Sequence, residues 1–229
     1  MKRWIFIAKG ISGTGKSSRV LQTLKYFEHI GCTLKPFVIE NTKGKMVEVG
    51  VLVEELDLVY IGKIYETNGT ERWQGYDAMT SSFGSAALFS EFLKKNHKKY
   101  SFVIEGAGIT LTHRLRPEFL IKEIGYENIM LQYYNYNNRD EYLERIIYRS
   151  GEPPRSDAMW VKNKSYIIEV TKTQDEIDKG FNAYLFEDNH LAPISDFGDK
   201  MLLLLEMDDF VEDFRKFCEE FDYINKNKF

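Results

Sequence analysis

A chain of 229 residues with 43% hydrophobic side chains has enough apolar material for one packed α/β domain, and its 16 Phe and 14 Tyr exclude global disorder. A formal net charge of −4 excludes a broad electrostatic pull toward polyanions, so nucleic acid has to be met by local basic clusters. Two cysteines exclude a disulfide framework and a cysteine-built zinc site, and they suit a reducing cytosol.

Trp4 to Ala8 reads as a short buried strand, too short an apolar run for a signal peptide. Glycines follow, then a helix from about Ser17 to His29 whose Val20, Leu21, Leu24 and Phe27 share one face and which Gly31 stops. Pro36 to Glu40 reads as the second strand, and Asn41 to Gly50 as a turn carrying Lys43, Gly44 and Lys45. Val51 to Tyr65 predicts two short strands, and Asn68 to Gly75 a polar loop. Ala86 to Lys95 predicts a helix, and Tyr100 to Ile104 a buried strand that ends at Glu105-Gly106. Pro117 to Ile124 reads as a helix begun by proline, Asn128 to Tyr134 as a strand, and Asn138 to Arg149 as an amphipathic helix. After Pro153-Pro154 come a helix over Ser156 to Val170 and a last one over Asp208 to Phe221. No stretch reaches membrane-spanning length, so a soluble, cytoplasmic protein with no membrane partner is expected. The alternation predicts a three-layer α/β/α fold, with a mainly parallel sheet that offers its strand C-terminal ends to a ligand.

Gly10-Ile11-Ser12-Gly13-Thr14-Gly15-Lys16-Ser17 satisfies G-x-x-x-x-G-K-[ST] at every specified position, between a predicted strand and a predicted helix. The glycines permit positive φ and close backbone approach, so successive N–H groups form an anion nest at a helix N-terminus, continued by Ser18. In such a nest Lys16 reaches the β- and γ-phosphates, and the Ser17 hydroxyl ligates Mg²⁺. ATP and Mg²⁺ are the expected cofactors.

No N-K-x-D base-reading motif is present, which argues against a GTPase. The strand Phe102 to Ile104 ends in Glu105-Gly106, not in the Asp-Glu of motors and helicases. Glu105 is expected to hold Mg²⁺ or to orient the acceptor, the alternative being a solvated acid. A kinase must spread positive charge over the transferring phosphoryl group and exclude water. Arg145 and Arg149 lie four apart on one helix face and Arg155 follows the prolines, which suggests a lid over about 145–165. Arg145 is expected at the nucleotide and Arg149 in catalysis, against the alternative of a solvated face with a Glu141–Arg145 pair. Arg114 and Arg116 are placed to clamp an acceptor phosphate or a donor tail. Asp196-Phe197-Gly198 spells the metal motif of protein kinases without their catalytic loop, and reads as a turn.

The stretch over about 60–85 holds "NGTERWQGYDAMTSSFGS". Trp73 and Tyr76 offer a stacking surface, Arg72 and Gln74 polar contacts, and Asp77 a carboxylate to orient or deprotonate a hydroxyl. An ordinary surface loop around one buried tryptophan is the alternative.

The glycine loop, the acid after the third strand and the arginine-bearing lid resemble the thymidylate kinase family up to about Arg155. In place of that family's Phe-Glu-Arg sequence stands Val38-Ile39-Glu40-Asn41-Thr42, and "RWQGYD" has no obvious counterpart there. With "GISGTGKSS" and the Trp-Gly-Asp region, the chain looks more like the bacteriophage branch that phosphorylates 5-hydroxymethyluracil within DNA. That resemblance implies a single P-loop kinase domain over 1–229, and a base hydroxymethyl group presented by DNA and turned out of the stack. Trp73 or Tyr76 would stack on the base, Asp77 or Glu105 would orient its hydroxyl, and Lys94, Lys95, Lys98 and Lys99 would touch phosphates. A solvated helix end, with lysines favouring the C-terminal dipole, is the preferred reading of those four residues. Two other readings stay open: a free nucleoside monophosphate kinase, and an ATP-binding switch or motor subunit. A homodimer is one assembly the kinase readings allow.

Overall fold

The computed structural model describes residues 2–11, 13–67, 69–106 and 113–226. In chain order the elements are β1 (Trp4–Gly10), α1 (Lys16–His29), β2 (Leu34–Glu40), β3 (Met46–Val53), β4 (Leu58–Ile61), β5 (Lys63–Thr67), β6 (Thr70–Gln74), α2 (Tyr76–Phe83) and α3 (Ala86–Asn96). They continue with β7 (Ser101–Glu105), α4 (Pro117–Phe119, widening into a π-helical turn over Leu120–Ile124), β8 (Asn128–Asn135), α5 (Arg139–Ser150), α6 (Ala158–Asp178), β9 (Tyr184–Asn189), α7 (Asp196–Leu204) and α8 (Val211–Lys226).

Seven strands form one sheet in the order β2-β3-β4-β7-β1-β8-β9, parallel except where β3 runs against both of its neighbours. β1 lies inside the sheet between β7 and β8 with every residue buried, as its run of bulky apolar side chains requires. Two apolar cores follow, one on each face of the sheet. Phe6, Ala8 and Tyr60 pack with side chains of α1, α7 and α8. Ile5, Ile7 and Ile104 pack on the other face with α2, α3 and the turn after α4. The fold is therefore mixed α/β with helices on both faces, and Gly10, Glu105, Asn135 and Asn189 end their strands along one edge.

Several expectations need correction. A polar loop was expected over Asn68–Gly75; Asn68 lies outside the described residues, and Thr70–Gln74 is a strand paired with β5, which places Trp73 opposite Ile64. Its polar residues face out while Trp73 drops into the core, edge-on to Tyr60 at 6.2 Å. The next residues form α2, whose Tyr76, Met79 and Phe83 are buried at helical spacing. The turn ends at Lys45, and β3 already begins at Met46. The helix predicted over 156–170 runs on to Asp178. Besides α2, edge strand β9 and helix α7 were missed; the latter starts at Asp196, so Asp-Phe-Gly opens a helix instead of forming a turn. Among the described residues, no helix is long and apolar enough to cross a membrane.

Candidate active site

The glycine loop joins the buried end of β1 to the first turn of α1. Gly13 and Gly15 take left-handed conformations, at φ of +87° and +82°. A Cβ at Gly13 would lie 2.5 Å from the Tyr136 hydroxyl and 3.5 Å from Arg145 Cγ, and one at Gly15 would lie 2.6 Å from Arg19 Nη1. Glycine is required at both. The Thr14 hydroxyl donates to the carbonyl of Ile11 at 2.9 Å, which closes the loop on itself. Ser12 lies outside the described residues. Gly10, Ile11 and Thr14 are buried, Ser17 is half-buried and Ser18 exposed.

Lys16 is the first residue of α1, and its ammonium stands 3.3 Å from Glu105 Oε1 while donating to the Ile11 carbonyl at 3.4 Å. Glu105 closes β7, in register with Ala8, and is buried. The first turn of α1 holds no acidic side chain, so nothing local offsets the positive end of its dipole. A nest where Cβ atoms would clash, a uniform helix N-terminus and a lysine facing inward together fit a polyphosphate. Among the described residues, no three or more His, Cys, Asp or Glu side chains converge as a metal site. A divalent cation held here by Ser17 and Glu105 would therefore complete its shell with phosphate and water oxygens, as Mg²⁺ commonly does.

A second carboxylate joins Glu105. Gly75 carries no Cβ where Glu105 presses against it, and Gly106 turns at φ +77°, so the end of β7 and the start of α2 interlock. Asp77, in the first turn of α2, thereby brings Oδ2 to 3.0 Å from the position of a Cβ on Gly106. The two carboxylates are felt by Tyr166 of α6: burial first, and then the charges of Asp77, Glu105 and Glu169, push its phenol up to about 12. It stays protonated as a donor at neutral pH. Tyr166 was not anticipated. Its signal is faint, a face of α6 on which Asn163, Glu169, Thr173 and Glu176 are buried polar groups, unlike any ordinary apolar stripe.

That polar face seats α6 on the sheet. Lys9, buried one residue before Gly10, donates to the Tyr133 hydroxyl at 3.2 Å and lies 3.6 Å from Glu169. Arg116 pairs with Glu176 at 3.1 Å and approaches Glu169 at 3.9 Å. Burial pulls Lys9 down to about 8, with Glu169 opposing the shift. The unfolded chain holds this proton up to 10.5. Between those values the unfolded state binds more protons, so stability rises with pH; below about 8 both states are protonated and the burial penalty is fully present. The native chain is therefore expected to gain on Lys9→Met by up to about 3 kcal/mol as pH climbs from about 7.5 to 10. Urea unfolding of both proteins across that range measures the difference, and a flat difference refutes a strained buried ammonium.

The remaining expected groups divide sharply. Arg145 of α5 stands beside Gly13, its guanidinium 5.5 Å over the Tyr148 ring. Glu141 is engaged by Asn137 and Asn138 and lies 3.7 Å from His190. The side chain of Arg149 and residues 107–112 lie outside what is described, and Arg155 is exposed in the α5–α6 turn. Arg114 donates to the Ser90 hydroxyl at 3.4 Å and lies over Phe119. Trp73 and Tyr76 cannot stack on an acceptor: they are 4% and 1% exposed, and Trp73 belongs to the core on the α1 face of the sheet. Burial of a large aromatic surface outweighs display at a rim. Lys94, Lys95, Lys98 and Lys99 lie at the end of α3, which returns the chain to the start of β7 and so to the edge opposite Glu105. They form the solvated helix end.

The profile of the family described as 5-hmdU DNA kinase 2 matches residues 1–191. A curated protein of Salmonella phage ViI named 5-hmdU DNA kinase 2 is 33% identical over 177 residues, which cover 76% of this chain. The matched region spans 57% of that relative's length. The glycine loop, Lys16, Asp77 and Glu105 sit inside the matched region, and the chain belongs to the 5-hmdU DNA kinase 2 family, a family of phosphotransferases by name.

Proposed function

We propose that the chain is a P-loop kinase which transfers the γ-phosphoryl group of ATP to the hydroxymethyl group of 5-hydroxymethyluracil in DNA. The observation that supports this reading is the Lys16–Glu105 pair beside the glycine loop, with the Asp77 carboxylate against Gly106, the residue after Glu105. The Salmonella phage relative's name supplies the acceptor class. A P-loop NTPase fold accounts for the sheet order and for the loop between β1 and α1, with α5 and the start of α6 as a lid carrying Arg145.

ATP with Mg²⁺ supplies the phosphoryl group and screens its charge. The residues of the chain do the rest. Backbone N–H groups of the nest and Lys16 fix the phosphates. Glu105 holds Lys16 in place, and with Ser17 it would hold the Mg²⁺. Asp77, the more exposed carboxylate, orients the acceptor hydroxyl and takes its proton as the new O–P bond forms and the β–γ bridge bond breaks. Arg145 adds positive charge from the lid side, and Tyr166 offers a protonated hydroxyl near the acceptor.

Incubation with γ-labelled ATP and an oligonucleotide containing 5-hydroxymethyluracil tests this directly. Label is expected in that strand, and none in the matching thymine strand. Labelling of free nucleoside monophosphates alone would overturn the DNA acceptor. ATP hydrolysis with no phosphorylated product would overturn the kinase.

A further inference from the structure

Arg19 is buried in the second turn of α1, yet its guanidinium serves three separate segments. Nη1 donates to the carbonyl of Thr14 at 3.0 Å, within the glycine loop. Nε donates to Asp196 Oδ1 at 2.7 Å, at the head of α7, and reaches the Pro193 carbonyl at 3.3 Å. Nη2 donates to the carbonyl of Ala192. The plane of the group lies over the Tyr134 ring at 4.5 Å, and the Tyr134 hydroxyl donates to both oxygens of Asp196. Such a rigid planar fork holds its acceptors in one fixed plane, whereas a lysine offers three rotating donors at a single point.

The consequence for the nest follows from the peptide plane. In a trans peptide the C=O and the following N–H point in opposite directions. With the Thr14 carbonyl held down on Arg19, the Gly15 N–H is turned the other way, into the mouth of the loop. We infer that Arg19 is a positioning residue: it locks the Gly15 N–H as a phosphate donor and joins the glycine loop to segment 190–196 as one body. This rests on the reading of the glycine loop as a polyphosphate nest. Tethered in this way, phosphate bound at the loop stiffens a segment that follows β9 and that Arg19 reaches across 173 to 177 positions of sequence.

Two measurements test it. In the native chain, hydrogen exchange is followed with magnesium tripolyphosphate, a probe that has no base or sugar to touch segment 190–196. Protection over residues 13–18 together with 190–196 is expected. Protection of the loop alone overturns the coupling, and protection of neither overturns the nest and the inference with it. In Arg19→Lys, the charge opposite Asp196 is kept while the fork is lost. Direct calorimetry should show the affinity gain from AMP to ADP shrinking at least about tenfold, with KM for ATP rising and kcat within about threefold. A merely structural lesion lowers the active fraction and leaves the ADP-to-AMP ratio of the folded molecules as it was, and that result overturns the proposal.

Discussion

Lys16→Ala is expected to lower turnover by at least about 10²- to 10³-fold, the scale on which one preorganised donor at a developing charge contributes. The structure adds a second consequence. Lys16 pairs with Glu105 at 3.3 Å, and Glu105 is only 4% exposed at its side chain. Removing the ammonium leaves a carboxylate in a poorly solvated strand end, and breaking such a pair costs about 3 kcal/mol. The variant should therefore unfold at lower denaturant concentration as well as lose activity. The double variant Lys16→Ala, Glu105→Gln separates the two effects, because the second change removes the stranded charge. It should recover most of the stability and none of the turnover. Turnover of Lys16→Ala within tenfold of the native chain would falsify the lysine's assignment to the phosphates.

Asp77→Asn is expected to reduce kcat by about 10²- to 10³-fold while ATP affinity changes less than about twofold, since a positioned general base contributes on that scale. The argument rests on exposure. Glu105 is buried and faces Lys16, whereas Asp77 is exposed at the start of α2, where an acceptor can reach it. Glu105→Gln should act differently, weakening magnesium-dependent ATP affinity and KM in addition to kcat. Steady-state kinetics with the modified oligonucleotide, paired with calorimetric ATP titration, distinguishes the carboxylates. If Asp77→Asn keeps native kcat, the proton passes elsewhere and Glu105 becomes the base.

Trp73 and Tyr76 show how a polar, aromatic stretch misleads. The string from Arg72 to Asp77 has the composition of a recognition loop, but two of its three bulkiest members close opposite cores of the sheet. The sixth position, Asp77, is exposed and lies against Gly106 at the end of β7. The helical spacing of Tyr76, Met79 and Phe83 was legible in the sequence, and reading it would have indicated α2 and turned Tyr76 inward. The arginines show the reverse difficulty. Arg116 has the composition of a phosphate clamp, but it is engaged by Glu169 and Glu176 from a helix some fifty residues further along the chain.

By itself the sequence determined the strand–loop–helix around the glycines, the burial of β1 and β7, and the placing of Lys16 and Ser17 at the start of α1 and of Glu105 at the end of β7. Those features are local: glycine at a left-handed φ, an apolar run and a helix start are decided within about ten residues. Only the tertiary structure decided that Asp77 stands against Gly106, the residue after Glu105, that the charges of both carboxylates act on Tyr166, and that Arg19 is tied to Asp196 across 177 positions. Such meetings depend on strand order and on the packing of helices over two faces. Side chains distant in sequence acquire neighbours only when burial of the apolar faces brings their elements together, and no periodicity along the chain encodes which neighbours those are.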